Sequence, residues 1–339
     1  MTRKEAIIHL IKGENPGYTP HHFDLTLKMT DRLAEYYGYD RDGVEDYIGN
    51  HLLYLDPETG FRNSIKGNFV DEFGTTWDTA GNYDIGDWGM VAFPIEDFDF
   101  SNYNFPDGKS EGRYDTAIKV MEKYKDRFNV MRITGPLNLG WYTMGFSDFL
   151  IGMLVEKETI HMVFDKVTEY ICNLIDRIPA GVDAVRMIED WGIQSGLMFS
   201  KELWMEYLYP SYKQIYQKIR SKGLYVMQHS CGDITDLLPV MVELGVDVID
   251  AMQPEAMDIA QIKKDFGRDI VLFGGLGSQS TIPCGTPADV IAEAASTLKI
   301  MSAGGKYIFG PAGSIPTEAP IENVVALVDF CKSLEEKGI

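Results

Sequence analysis

From about Phe128 onward, short runs of β-branched and apolar residues alternate with longer stretches in which apolar positions recur every three or four residues. The first pattern predicts buried strands and the second amphipathic helices, an alternation that builds parallel βα units. Strands are predicted over Phe128–Thr134, Ala184–Ile188, Leu224–Gln228, Val246–Asp250, Ile270–Phe273 and Lys306–Phe309. Helices are predicted over Ile160–Ile178, Lys201–Ser221, Ile234–Leu244, Ile259–Asp265, Pro287–Met301 and Glu322–Leu334, with Pro287 suited to a first helical turn. The N-terminal third offers an amphipathic opening helix, a strand over Tyr18–Leu25, a helix over Thr30–Tyr37, a strand over His51–Leu55 and a helix near Tyr114–Tyr124. Eight strands in this order predict an α/β fold, a distorted (β/α)8 barrel, taken as one domain over residues 1–339. The segment 61–108, rich in Gly, Asp and aromatics, reads as hairpins inserted in a barrel loop. An open doubly wound sheet is the alternative, but no Gly-x-Gly-x-x-Gly fingerprint follows a strand.

A barrel brings the C-terminal ends of its strands to one face, where the side chains of a site converge. His21, His22 and Asp24 fall there, as do Glu189, Asp190, His229, Cys231, Gln253 and Gln279. His229 and Cys231 stand two residues apart at a strand end, so an imidazole and a thiolate can face one ion, and zinc accepts both. Glu189 and Asp190 end the neighbouring strand, and Cys284 follows the Ile270–Phe273 strand. The aromatics Trp77, Trp88, Trp141, Tyr142 and Phe146 are candidate walls of a small-ligand pocket, Trp141 and Tyr142 foremost.

Charge narrows the range of partners. With 31 Lys and Arg against 51 Asp and Glu the net charge is -20, which disfavours nucleic acid and anionic membrane surfaces. Four cysteines without framework spacing suit a reducing cytoplasm, and no export or spanning segment is expected at the charged N-terminus.

The chain resembles the uroporphyrinogen decarboxylase superfamily, and more closely its corrinoid-dependent methyltransferases. The resemblance rests on Gly13-Glu14-Asn15-Pro16, Asp71-Glu72-Phe73-Gly74, Glu189-Asp190-Trp191-Gly192, His229-Ser230-Cys231-Gly232-Asp233, Gln253-Pro254-Glu255, Phe273-Gly274-Gly275-Leu276-Gly277 and Pro283-Cys284-Gly285-Thr286-Pro287, in the family's order. It implies a distorted (β/α)8 barrel. True decarboxylases carry an arginine-rich N-terminal segment for a polycarboxylate, whereas Thr19-Pro20-His21-His22-Phe23-Asp24-Leu25 holds no arginine. Thiol-activating members bind zinc through His-x-Cys and a second cysteine after the last strand. His229 and Cys231 match the first two ligands, and Gly313 stands where the third is expected.

The resemblance therefore implies a zinc-dependent methyltransferase that moves a methyl group from a small, aromatic methyl ether to a corrinoid protein. Glu189 is the first choice for the missing ligand, with Cys284 and His21 or His22 behind it. Glu189 and Asp190 are the catalytic candidates, Asp190 to orient a bound water or protonate the departing oxygen. His22, Asp24, Trp141, Tyr142, Gln253 and Gln279 are the substrate-binding candidates. Cobalamin is expected on a partner chain, since no Asp-x-His-x-x-Gly corrinoid motif is present. The 61–108 segment is a candidate lid, homodimer contact or docking surface. The alternatives are a methylcorrinoid:thiol transferase of the coenzyme M type, a metal-free decarboxylase of a small acid using Asp24 or Asp190, and a non-catalytic module that binds a corrinoid protein.

Overall fold

The computed structural model describes residues 1–58, 63–65, 68–78 and 89–337. Its strands are β1 (Leu52–Leu55), β2 (Asn63–Ile65), β3 (Asn68–Val70), β4 (Thr76–Asp78), β5 (Gly89–Ala92), β6 (Phe128–Thr134), β7 (Ala184–Ile188), β8 (Gly192–Ile193), β9 (Gly196–Leu197), β10 (Tyr225–His229), β11 (Val248–Met252), β12 (Val271–Leu276) and β13 (Tyr307–Pro311). A curled seven-stranded sheet runs in the order β1-β6-β7-β10-β11-β12-β13, parallel throughout. Helices pack its outer face, as the alternating pattern predicts.

Tyr18–Leu25 does not form the eighth strand. Residues 20–25 instead run extended between β13 and β1, joined by isolated bridges from His21 to Phe309 and from Leu25 to Ile315. His22 N–H donates to Phe309 O at 2.9 Å, and His51 N–H donates to His21 O at 3.1 Å. Pro20 has no N–H for a ladder, and the Asn50 side chain takes both main-chain groups of Phe23, at 2.8 and 3.1 Å. The barrel closes through an irregular seam.

Inside the barrel, period-two alternation stacks two chemistries. The lower positions Leu52, Val130, Ala184, Met227, Val248, Val271 and Ile308 form one apolar cluster. Two residues further along the strands stand Tyr54, Arg132, Arg186, His229 and Asp250. The lumen is thus apolar at the base and charged where the strands end.

Elsewhere the helices depart from the simple pattern. The helix predicted over Lys201–Ser221 is broken by a π-helical turn at Trp204–Leu208, beside Pro210, which cannot donate the helical hydrogen bond. Helices over Arg41–Ile48, Pro136–Met144 and Phe146–Val155 were not predicted; the last two are apolar on most sides and lack a clean period. Within the 61–108 segment, β2, β3, β4 and β5 form an antiparallel sheet. Glu72, in the turn after β3, ties it down through Arg113 at 2.5 Å and the Tyr170 hydroxyl at 2.6 Å. Among the described residues, no helix is long and apolar enough to cross a membrane.

Candidate metal centre and adjoining cavity

β10 ends at His229, and Cys231 follows on the same side of the chain. His229 Nε2 lies 3.5 Å from Cys231 Sγ and 3.8 Å from Oδ1 of Asp190, which comes from the loop after β7. One ligand atom from each of the three lies within 4.8 Å of the others. The Cys231 N–H donates to Asp190 Oδ1 at 2.8 Å, and the Gly232 N–H donates to Gln253 Oε1 at 3.1 Å. Gly232 has φ +76°, and a Cβ there would run into the main chain of Gly192. Only glycine meets both demands.

The far side of the imidazole is equally fixed. His229 Nδ1 lies 2.8 Å from Asp250 Oδ2, and Arg186 grips both Asp250 oxygens, at 3.1 and 2.5 Å. Burial raises the Asp250 carboxyl, but Arg186 and His229 overcome it and hold the group well below the usual carboxylate range. Burial and Arg186 lower the His229 pKa, yet Asp250 outweighs them and leaves it raised to about 10, so a cation bound at Nε2 would have to displace the proton held there. With Nδ1 occupied by Asp250, Nε2 is the nitrogen turned toward Cys231 and Asp190. One nitrogen, one sulfur and one carboxylate oxygen suit a zinc ion, and the three residues fit it.

Glu189, the first choice for the third ligand, lies apart from this cluster. It is fully buried and accepts from the N–H groups of Leu137 and Asn138 at 2.6 and 3.0 Å, Trp191 Nε1 at 2.7 Å and the Tyr212 hydroxyl at 2.8 Å. All its acceptor directions are taken. Burial raises its pKa and the four donors pull it back, leaving it at about 7. Leu137 and Asn138 open the helix Pro136–Met144, so Glu189 anchors that helix from a neighbouring loop. Gly135 precedes it because a Cβ there would strike Glu189 and Tyr212.

The remaining predicted residues scatter. Cys284 is exposed and outside the cluster. His21 bonds Ile48 O at 2.9 Å. His22 is buried against Tyr54, ring centroids 4.7 Å apart, and burial followed by Arg186 lowers its pKa well below the usual value. Asp24 accepts from Ser314 Oγ at 2.9 Å. Gln253 braces the His-x-Cys loop, and Gln279 is exposed and accepts from Gln194 at 2.9 Å.

A cavity of about 560 Å³ opens between the small antiparallel sheet and the ends of β6 and β7, walled by Phe69, Trp77, Tyr142, Arg132 and Ile188 among others. None of Asp190, His229 and Cys231 is part of its wall, which includes Ile188, the strand partner of His229. Trp77 and Tyr142 meet edge-on, 4.9 Å between centroids and 89° between planes, and Trp77 Nε1 donates to Asp71 at 2.8 Å. Burial, then Asp71, raises the Tyr142 hydroxyl to about 12. Trp141 packs on Phe146 away from this wall, and Trp88 lies outside the described residues.

Arg186, Asp250 and Arg132 escaped the sequence prediction. Their signal was a charge at an inward position of an apolar strand, such as Arg186 within Ala184-Val185-Arg186-Met187-Ile188.

The chain is similar to a methylated-thiol--coenzyme M methyltransferase of Methanosarcina mazei, 23% identical over 235 residues, 67% of this chain and 61% of that protein. It is similar to a uroporphyrinogen decarboxylase of Anaeromyxobacter dehalogenans, 26% identical over 203 residues, 58% of this chain and 56% of that protein. The matches thus span less than two thirds of either relative. A methylcobamide:CoM methyltransferase of Methanosarcina mazei is 26% identical over 247 residues, 70% of this chain and 68% of that protein. The solved structure of a methyltransferase from Methanosarcina mazei shares the fold, with a TM-score of 0.74 at 17% identity over 99% of both chains. The family model for uroporphyrinogen decarboxylase (URO-D) matches residues 91–334, and the chain belongs to that family.

Proposed function

We propose that the protein is a zinc-dependent methyltransferase that moves a methyl group from a small aromatic methyl ether to a corrinoid held by a partner protein. The observation that carries this reading is the Asp190, His229 and Cys231 trio beside an aromatic cavity. Asp190 takes the part of the thiol that Gly313 cannot supply, so the ligand set is one imidazole, one thiolate and one carboxylate. A zinc ion held there supplies Lewis acidity to an oxygen leaving group, which is poor without assistance. Trp77, Tyr142 and Phe69 bind a flat ring, and Arg132 and Asp71 supply polar contacts at its edge. The helix Pro136–Met144, anchored by Glu189, fixes Tyr142. The four free cysteines accord with a reducing, cytoplasmic setting.

A second reading, methyl transfer to or from a thiol, is supported by the names of the two Methanosarcina methyltransferases. The donor set supports the first reading, since the ether reaction needs no second thiolate at the ion.

The test is metal analysis of the purified protein together with methyl transfer from 2-methoxyphenol, or from a methylated thiol, to cob(I)alamin. Stoichiometric zinc and ether turnover are expected, with both lost in His229→Ala and Cys231→Ala. Full activity of metal-free protein would overturn the proposal, and turnover of the thioether alone would select the second reading.

A further inference from the structure

Charge inside a barrel lumen is costly, and the lower layers of this one are filled with apolar side chains. Arg186 and Asp250 break that rule two residues above them, at 6% and 3% exposure. Their placement follows from the register. His229 on β10 is directly paired with Asp250 on β11, and Arg186 on β7 is paired with Met227, two residues before His229. The Arg186 side chain crosses β10 to reach Asp250, so its guanidinium lies against the Nδ1 side of the imidazole, 2.9 Å from that nitrogen. Its other face rests on Tyr54, with Cζ 4.9 Å from the ring centroid. Asp250, His229 and Tyr54 thus meet Arg186 at one corner of the lumen.

We infer that Arg186 and Asp250 are positioning residues for the metal centre, acting as one unit through His229 Nδ1. A neutral imidazole carries its proton on either nitrogen, and only the form protonated at Nδ1 offers Nε2 to an ion. Asp250 Oδ2, 2.8 Å away, selects that form by accepting the Nδ1 proton and fixes the ring plane, while the Arg186 guanidinium beside the same nitrogen donates to Asp250 and not to the ring. Arg186 in turn fixes Asp250 by gripping both oxygens, which a single hydrogen bond would leave free to rotate. The arrangement rests on the reading that Asp190, His229 and Cys231 bind a metal.

The experiment is a chelator competition for zinc, paired with the visible absorption spectrum of the cobalt(II)-substituted protein. Asp250→Asn is expected to weaken zinc binding by roughly 10- to 100-fold and to shift or weaken the cobalt bands, because the imidazole is no longer held. Should that variant unfold around an unpaired Arg186, the double variant Arg186→Met/Asp250→Asn removes both charges and carries the same expectation. Arg127→Met is the control. Arg127 is buried just before the start of β6, at the other end of the barrel, and pairs with Glu45 and Asp46. Its loss should lower the melting temperature and leave affinity and spectrum unchanged. Folded Asp250 variants with wild-type zinc affinity and cobalt spectrum would overturn the assignment while leaving the metal centre intact. A wild-type protein that binds no zinc would instead overturn the metal centre itself.

Discussion

The Cys231 main-chain N–H donates to Asp190 Oδ1 at 2.8 Å, so the loops after β7 and β10 are tied at the point where the candidate ligand side chains meet. Asp190 thereby orients the thiol's own backbone while presenting a carboxylate to the same space. Asp190→Ala should lose zinc more completely than the roughly 10- to 100-fold cost of removing an outer partner, and Asp190→Asn should retain part of the affinity. Zinc content after dialysis against a graded chelator series checks this. Equal retention in both variants would show that the carboxylate is not a ligand.

The two candidate cysteines should part cleanly. Cys231→Ser is expected to lose zinc and activity together. Cys284→Ser should keep both, since Cys284 is exposed and lies outside the trio. Loss of zinc in the Cys284 variant would restore it as a ligand.

Glu189 links stability to pH with a definite sign. Its folded pKa is raised to about 7 from 4.5, so the stability it contributes is fully present below pH 4.5 and declines as pH rises through 7. The full swing is about 3 kcal/mol at most. Glu189→Gln should flatten this part of the pH dependence. It should also cost about 1–3 kcal/mol, because an amide NH₂ then faces donors. Urea unfolding between pH 5 and pH 8 measures both effects, and an unchanged slope in the variant would count against the assignment.

Trp77→Ala opens the corner of the cavity without touching a metal ligand. Binding of an aromatic probe such as 2-methoxyphenol should weaken by about tenfold or more, in line with the loss of a large ring contact. Zinc content should stay at the wild-type level. Calorimetric titration with the probe is the measurement, and undiminished binding would place the ring elsewhere.

Gly232→Ala tests the loop itself. A Cβ at φ +76° and against Gly192 should cost about 2 kcal/mol or more and reduce zinc retention. Thermal unfolding with metal analysis distinguishes this from a harmless change, in which both would match the wild type.

Much of this was legible because it depended on local pattern. The six strands of the parallel sheet from Phe128 to the C-terminus were visible as apolar runs, since parallel strands buried on both faces leave that signature. The His-x-Cys spacing was enough to place His229 and Cys231 together, because strand geometry turns residues two apart to one side. The Tyr18–Leu25 strand failed for an equally local reason, the missing N–H of Pro20, compounded by a distant one, the Asn50 side chain in place of a neighbour.

What the chain determined by itself was therefore the order of its βα units and the closeness of His229 and Cys231, two of the three residues of the candidate metal site. Choosing between Glu189 and Asp190 was beyond it. They are neighbours of equal ligand chemistry, and only packing decides that one carboxylate is consumed by four buried donors while the other faces the imidazole. Arg186 and Asp250 likewise look like stray charges along the chain. They become a pair when β7, β10 and β11 are set side by side, because hydrogen bonds between side chains on separate strands are fixed by register and strand order.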